Sequence, residues 1–260
     1  MSNLFQRTVF FLTFFLIVFS ASAQEKTNFT SLDVFQLEFA ADPQIAPDGS
    51  TIIYRRKGFD IMKDRSKGSL WILSSDGENH HKLTHKETDE SQAKWSPTGD
   101  RIAFVSNSEN GSEIYLYWLS SKVTAKLTQL ENSPSSITWS PDGKHLAFSM
   151  KVNAKAPVIA KMPLKPQGAK WAAAPRITDR LKHEADGQGY IKPGFSQIFI
   201  ISSEGGSPRQ LTKGDYNHRG TLSWSPNGTE IFFSGNLTEN WEYDFRNSEV
   251  YSVNSQTLKI

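Results

Sequence analysis

Trp139-Ser140-Pro141-Asp142-Gly143, running on into Lys144-His145-Leu146-Ala147-Phe148, is the stretch on which the fold turns. Proline sets φ near the value wanted at the second position of a type I turn, and a short polar residue suits the third. Glycine takes the left-handed conformation that sends the chain back antiparallel. The apolar residues that follow read as a strand. Three more copies occur: Ile45-Ala46-Pro47-Asp48-Gly49 before Thr51-Ile52-Ile53-Tyr54, Trp95-Ser96-Pro97-Thr98-Gly99 before Arg101-Ile102-Ala103-Phe104-Val105, and Trp224-Ser225-Pro226-Asn227-Gly228 before Glu230-Ile231-Phe232-Phe233. Each is expected to be a tight hairpin, and four such hairpins in one chain make the architecture a repeat.

Further along each repeat stands a second strand signal: Leu70 to Ser75, Ile114 to Ser121, Ile198 to Ser203 and Val250 to Val253. Three of these lead to a short strand ending in Leu-Thr, at Leu83-Thr84, Leu127-Thr128 and Leu211-Thr212. Strand, Pro-Gly turn, strand, loop, strand, turn, strand is a four-stranded antiparallel unit. Its repetition every 40 to 50 residues or so is the mark of a β-propeller blade. The expected fold is therefore all-β, a propeller of four-stranded antiparallel blades with WD40-like Pro-Asp-Gly repeats, with about four blades present and the set incomplete. The turn glycines at 49, 99, 143 and 228 are spaced by 50, 44 and 85 residues. The long last interval is read as an insertion in the third blade, about 151–195, because that stretch has no further Pro-Gly turn of the repeat type.

Composition fits such a fold, with 37% hydrophobic residues, 22% charged residues and a formal net charge of +2. Arg7 leads an apolar run from Val9 to Phe19, and Ala21-Ser22-Ala23 follows as a small-residue cleavage site. Residues 1–23 are read as a signal peptide cleaved after Ala23, which leaves 24–260 as the mature partial propeller, secreted or periplasmic and without a membrane span. Removal of Arg7 lowers the net charge by one. A near-neutral chain without a basic stripe argues against nucleic acid as a partner. There is no cysteine, which excludes disulfides and a lipid-bearing cysteine after cleavage.

Gly-x-Ser-x-Gly, which would stand a nucleophile on a strained elbow, does not occur. Gly205-Gly206-Ser207-Pro208-Arg209 lacks the last glycine and falls in a hairpin turn. His80, His81 and His85 are the densest histidine group, but they sit beside a strand end with no cysteine or carboxylate to complete a zinc set, so they are read as a solvated loop. Trp95, Trp139 and Trp224 recur at one repeat position and are read as blade core. No catalytic residue, metal site or cofactor is assigned. The insertion holds Asp179-Arg180-Leu181-Lys182-His183-Glu184 and Asp186-Gly187-Gln188-Gly189-Tyr190. It reads either as a surface excursion with a packed Tyr190 or as a binding loop on a rigid scaffold, and in the second case Glu184, Asp186 and Tyr190 are the substrate-binding candidates.

The opening Asp33-Val34-Phe35-Gln36-Leu37-Glu38, with Asp42 to Gly49 behind it, resembles the start of the propeller in secreted bacterial peptidases of the prolyl oligopeptidase family, acylaminoacyl-peptidase-like or dipeptidyl-peptidase-like branch. Asp186-Gly187-Gln188-Gly189-Tyr190, leading into Gln197-Ile198-Phe199 and Gln210-Leu211-Thr212, is similar to the same proteins. The resemblance implies a propeller that admits short peptides to a C-terminal α/β-hydrolase domain of the same full-length protein, bearing a Ser-Asp-His triad. No position here matches the triad motifs, so the 260-residue chain is expected to be inactive alone and to be truncated before that domain. The alternative expectation is a non-catalytic periplasmic TolB-like propeller that binds proteins. The short distance between Ala23 and the Ser31 region, with no α/β domain between them, favours the peptidase.

Overall fold

The computed structural model describes residues 28–84, 88–109, 111–155, 160, 163–172 and 176–260; the stretch 1–23 read as a leader, His85 and Ala173-Ala174-Pro175 lie outside them. Residues 28–37 belong to a unit of their own. There Asp33–Gln36 make one turn of 3-10 helix, and Asp33 Oδ2 accepts the Thr30 backbone N–H at 2.6 Å and its hydroxyl at 3.0 Å.

From Glu38 onward the described chain is built of antiparallel sheets. The first blade holds β1 (Phe39–Ile45), β2 (Thr51–Asp60), β3 (Arg65–Ser74) and β4 (His81–Lys82) in that order. The second holds β5 (Glu90–Trp95), β6 (Arg101–Ser108), β7 (Gly111–Trp118) and β8 (Val123–Lys126). In the third, β9 (Pro134–Trp139) and β10 (His145–Asn153) precede a small separate hairpin, β11 (Glu184–Ala185) with β12 (Gly189–Tyr190). The blade is then completed by β13 (Gly194–Ser202) and β14 (Arg209–Gln210). β10 pairs with β13 from His145–Ser202 to Asn153–Gly194, so the excursion leaves the sheet after Asn153 and returns at Gly194. The fourth blade has three strands, β15 (Arg219–Trp224), β16 (Glu230–Gly235) and β17 (Glu249–Asn254).

The Pro-Gly turns close as their residues dictate. Gly49, Gly99, Gly143 and Gly228 stand at φ 74, 72, 68 and 71°, each donating its N–H at 2.9 Å to the carbonyl three residues before. A side chain at the third position secures the turn. Asp142 Oδ1 accepts Ser140 Oγ at 2.6 Å and the Lys144 N–H at 3.0 Å, and Asn227 Oδ1 accepts Ser225 Oγ at 2.6 Å and the Thr229 N–H at 3.1 Å. These hydrogen bonds hold the Asp142 carboxyl below its ordinary value, the Ser140 hydroxyl contributing most. The turns also lie one on the next. A Cβ on Gly99, Gly143 or Gly228 would stand 3.5, 3.6 or 3.7 Å from the Cδ of Pro47, Pro97 or Pro141 in the blade before.

Apolar cores fill the spaces between consecutive blades. Ile53, Leu70, Ile72 and Leu83 of the first blade meet Ala93, Ile102, Phe104, Tyr115 and Tyr117 of the second. Ala103, Val105, Ile114 and Leu116 meet Ile137, Trp139, Leu146 and Phe148. Ala147, Ile198, Ile200 and Leu211 meet Leu222, Ile231, Phe233 and Val253. Each fully buried side chain of this size is worth about 1.5–3 kcal/mol, so the faces between blades are where folding free energy accrues. The repeat-position tryptophans belong to these cores, and two reach across: Trp95 Nε1 donates to the Gln44 carbonyl at 3.2 Å and Trp139 Nε1 to the Lys94 carbonyl at 3.1 Å.

Polar groups are buried in a repeated arrangement at the Leu-Thr positions. Thr128 Oγ1 accepts the Ile114 N–H at 2.9 Å and donates to Glu113 Oε2 at 2.6 Å. Thr212 Oγ1 accepts the Ile198 N–H at 2.9 Å and donates to Gln197 Oε1 at 2.8 Å. The first blade has Ser69 where these have Glu113 and Gln197, and Glu90 of the second blade fills in. Its carboxylate accepts the Leu70 N–H at 3.1 Å and the Thr84 hydroxyl. Each inner strand, β1, β5, β9 and β15, is interrupted by a bulge close to a residue of positive φ: Asp42, Gln92, Ser136 and Gly220.

Candidate functional site

The excursion of the third blade is short on regular structure but well tied down at its end. In the β11–β12 hairpin Glu184 stands opposite Tyr190 and Ala185 opposite Gly189, and Ile191 donates its N–H to the His183 carbonyl at 2.8 Å. The Arg176 guanidinium lies 3.6 Å from the Tyr190 ring centre, and the His183 ring lies 6.0 Å from the same ring. Arg180 lies 4.1 Å over Phe195, a buried residue at the start of β13. Cation–aromatic contacts of this kind contribute about 0.5–2 kcal/mol each; the Arg180–Phe195 contact ties the excursion to the blade, and the Arg176–Tyr190 contact lies within it.

The β16–β17 connection of the fourth blade comes to the same place. Asn236 pins it at both ends, its Oδ1 accepting the Thr238 hydroxyl at 2.7 Å and its Nδ2 donating to the Asp244 carbonyl at 2.7 Å. Trp241, carried by this loop, meets Phe195 edge to face with ring centres 5.9 Å apart. Gly235 before it is held close, since a Cβ there would stand 3.2 Å from the Asn217 carbonyl oxygen.

Between excursion and loop is a cavity of about 650 Å³. Leu181, Lys182, His183 and Glu184 form one side, and Trp241, Glu242, Phe245 and Ser248 the other. Asn217, Arg219, Gly235 and Asn236 complete its lining. Its size falls in the usual range of small-molecule sites. Lys182, Glu184, Arg219 and Glu242 form no ion pair among the described residues. His218, between two lining residues, is 1% exposed and its Nδ1 has no partner; burial pushes its pKa down, against smaller upward contributions from the Ser196 and Tyr216 backbone, so the ring is neutral near pH 7. Nearby, burial lowers the pKa of Lys151, with Arg180 and Lys192 adding repulsion.

Of the residues singled out from sequence, Glu184 lines the cavity. Asp186 occupies the exposed tip of the β11–β12 hairpin, and Tyr190 packs under Arg176 and beside His183, outside the lining. Arg219, Trp241, Glu242 and Phe245 were not singled out. A signal for the last three was available in the length of the β16–β17 connection, which carries Trp241, Tyr243 and Phe245 where the β2–β3 connection is a short turn. His183 and Ser248 share the cavity, but His183 Nδ1 faces the Leu181 carbonyl at 3.1 Å and no hydrogen bond joins it to Ser248. Among the described residues, no serine–histidine pair is assembled at this site.

The family model of the TolB beta propeller domain matches residues 60–258. The chain is 26% identical over 214 residues to the uncharacterized peptidase YuxL of Bacillus subtilis, a match covering 82% of this chain and 32% of the relative. It is 32% identical over 76 residues to dipeptidyl-peptidase 5 of Porphyromonas gingivalis, covering 29% of this chain and 11% of that protein. The chain thus spans about a third or less of the length of these curated relatives. Among solved structures, uncomplexed acylaminoacyl peptidase of Pyrococcus horikoshii superposes with a TM-score of 0.60 at 16% identity, covering 85% of this chain and 32% of that one. At that identity the likeness is one of fold.

Proposed function

Because the chain belongs to the TolB beta propeller domain family, we propose that it is the propeller part of a serine peptidase and that it restricts access to short peptides. The observation that carries this reading is the match to a peptidase across 82% of the chain. A relative of which the chain covers only 32% leaves room for a separate catalytic domain, and the chemistry is assigned to an α/β-hydrolase domain of the same full-length protein. The propeller supplies no nucleophile; its contribution is a rigid scaffold whose loops select what reaches the catalytic domain. The leader over 1–23 directs export, with cleavage after Ala23.

The test is hydrolysis by the full-length protein of chromogenic peptides of increasing length beside a folded protein substrate. Cleavage of the short peptides alone is expected, with the mature protein beginning at Gln24 by mass. No hydrolysis, or equal cleavage of the folded protein, overturns the reading; capture of a protein partner without hydrolysis would put the chain among binding modules.

A further inference from the structure

Four charged side chains, two of each sign, converge on the cavity between the excursion and the β16–β17 loop, and none is neutralised by a neighbour among the described residues. Lys182 and Arg219 are the cations, Glu184 and Glu242 the carboxylates. The apolar wall beside them is held in place before any ligand arrives, because Trp241 abuts buried Phe195 and its loop is pinned by Asn236. A preformed wall spares a ligand part of the ordering cost of binding.

The charge pattern discriminates among ligands. An anion such as a phosphate ester meets two carboxylates, a cation meets two basic groups, and a neutral molecule brings no charge to complement either. A zwitterion satisfies both pairs at once, and like-charge juxtaposition rejects the others. A volume of about 650 Å³ takes a peptide of two or three residues and no folded partner.

We propose that this cavity binds a short free peptide through both of its charged ends, the carboxylate drawn by Lys182 and Arg219, the ammonium by Glu184 and Glu242, and an apolar side chain laid on Trp241. The identification of the ligand as a peptide rests on the peptidase reading; the requirement for two free ends rests on the cavity alone.

Calorimetric titration of the mature full-length protein, its hydrolysis blocked by a serine-directed inhibitor, with Ala-Ala-Phe, N-acetyl-Ala-Ala-Phe and Ala-Ala-Phe amide tests it. The free peptide binds, and each blocked form binds at least tenfold more weakly. In Arg219→Ala the free peptide loses affinity and amidation costs no more than about twofold; in Glu242→Gln the same holds for acetylation. Trp241→Ala weakens all three, with a retained cooperative urea transition as the check on folding. Equal binding of the three peptides, or no binding of any, overturns the proposal. Binding with both ends required, in a protein whose full-length form hydrolyses no peptide, would remove the peptidase reading and leave the site. Hydrolysis by a protein whose cavity variants bind as the parent does would remove the site and leave the reading.

Discussion

Thr212→Val puts the buried polar arrangement of the third blade to a quantitative test. Valine matches threonine in shape and puts a methyl in place of the hydroxyl. Ile198, fully buried, then has a backbone N–H without the acceptor it holds at 2.9 Å, and Gln197, 2% exposed, loses the hydroxyl its Oε1 accepts at 2.8 Å. Stranding the N–H costs about 1–3 kcal/mol and the lost side-chain bond about 1 kcal/mol, so the variant is expected to be less stable by about 2–4 kcal/mol. Gln197 Nε2 keeps its bond to the Gly214 carbonyl at 2.9 Å, so the side chain stays in place and the effect is confined to the hydroxyl. Against a typical total of about 5–15 kcal/mol this is a large fraction. For a domain of this size it corresponds to a fall in Tm of roughly 5–15 °C. Thr212→Ser keeps the hydroxyl and loses one methyl, with an expected cost of about 1 kcal/mol. Urea unfolding followed by tryptophan fluorescence reads both variants. A Thr212→Val midpoint within 0.5 kcal/mol of the parent (about the scatter of neutral surface changes), or a Thr212→Ser variant equally damaged, would refute the hydroxyl's role.

Two further outcomes concern the Pro-Gly turns. Gly143→Ala meets Pro97 Cδ only at ordinary contact distance, 3.6 Å, so its cost is the left-handed backbone at φ 68°, about 1–2 kcal/mol by urea unfolding; a neutral variant would show that the turn relaxes. The Asp142 carboxyl is held below its ordinary value in the folded chain, chiefly by the Ser140 hydroxyl and then by the Lys144 N–H. In the range between the folded and unfolded pKa the unfolded chain binds more protons, so the stabilisation is present above the ordinary value of 3.8 and is lost as pH falls through the folded pKa. Asp142→Asn should flatten that acid limb of the stability curve while keeping the turn, since Asn227 makes the same bonds in the fourth blade; an unchanged limb would show that Asp142 does not contribute to it.

The propeller was legible because its decisive signals are local. Pro141, Asp142 and Gly143 specify their turn within five residues, and the apolar residues after each turn form a strand wherever the chain is placed. The pairing of β10 with β13 across the excursion followed from the missing Pro-Gly turn. Glu184, Asp186 and Tyr190 were legible together because the excursion breaks the repeat; which of them lines the cavity was not, since Glu184 and Tyr190 stand opposite each other in the hairpin and Tyr190 is instead covered by Arg176 and His183. Arg219 carried no local mark, and the long β16–β17 connection that bears Trp241 and Glu242 did not say what it faces, since these residues line one cavity with Glu184 only when the third and fourth blades lie side by side.

What the sequence determined by itself was the repeat: a turn that closes on its own residues and a strand pattern that needs a neighbour. Tertiary structure decided the positive φ of Gln92 and Ser136, which no intrinsic preference selects, and the reach of the Trp95 and Trp139 indoles to carbonyls of the preceding blade. It also decided that Glu90 serves the blade before its own. These depend on how one sheet lies on the next, and the free energy that sets that relation is the burial of faces contributed by residues tens of positions apart.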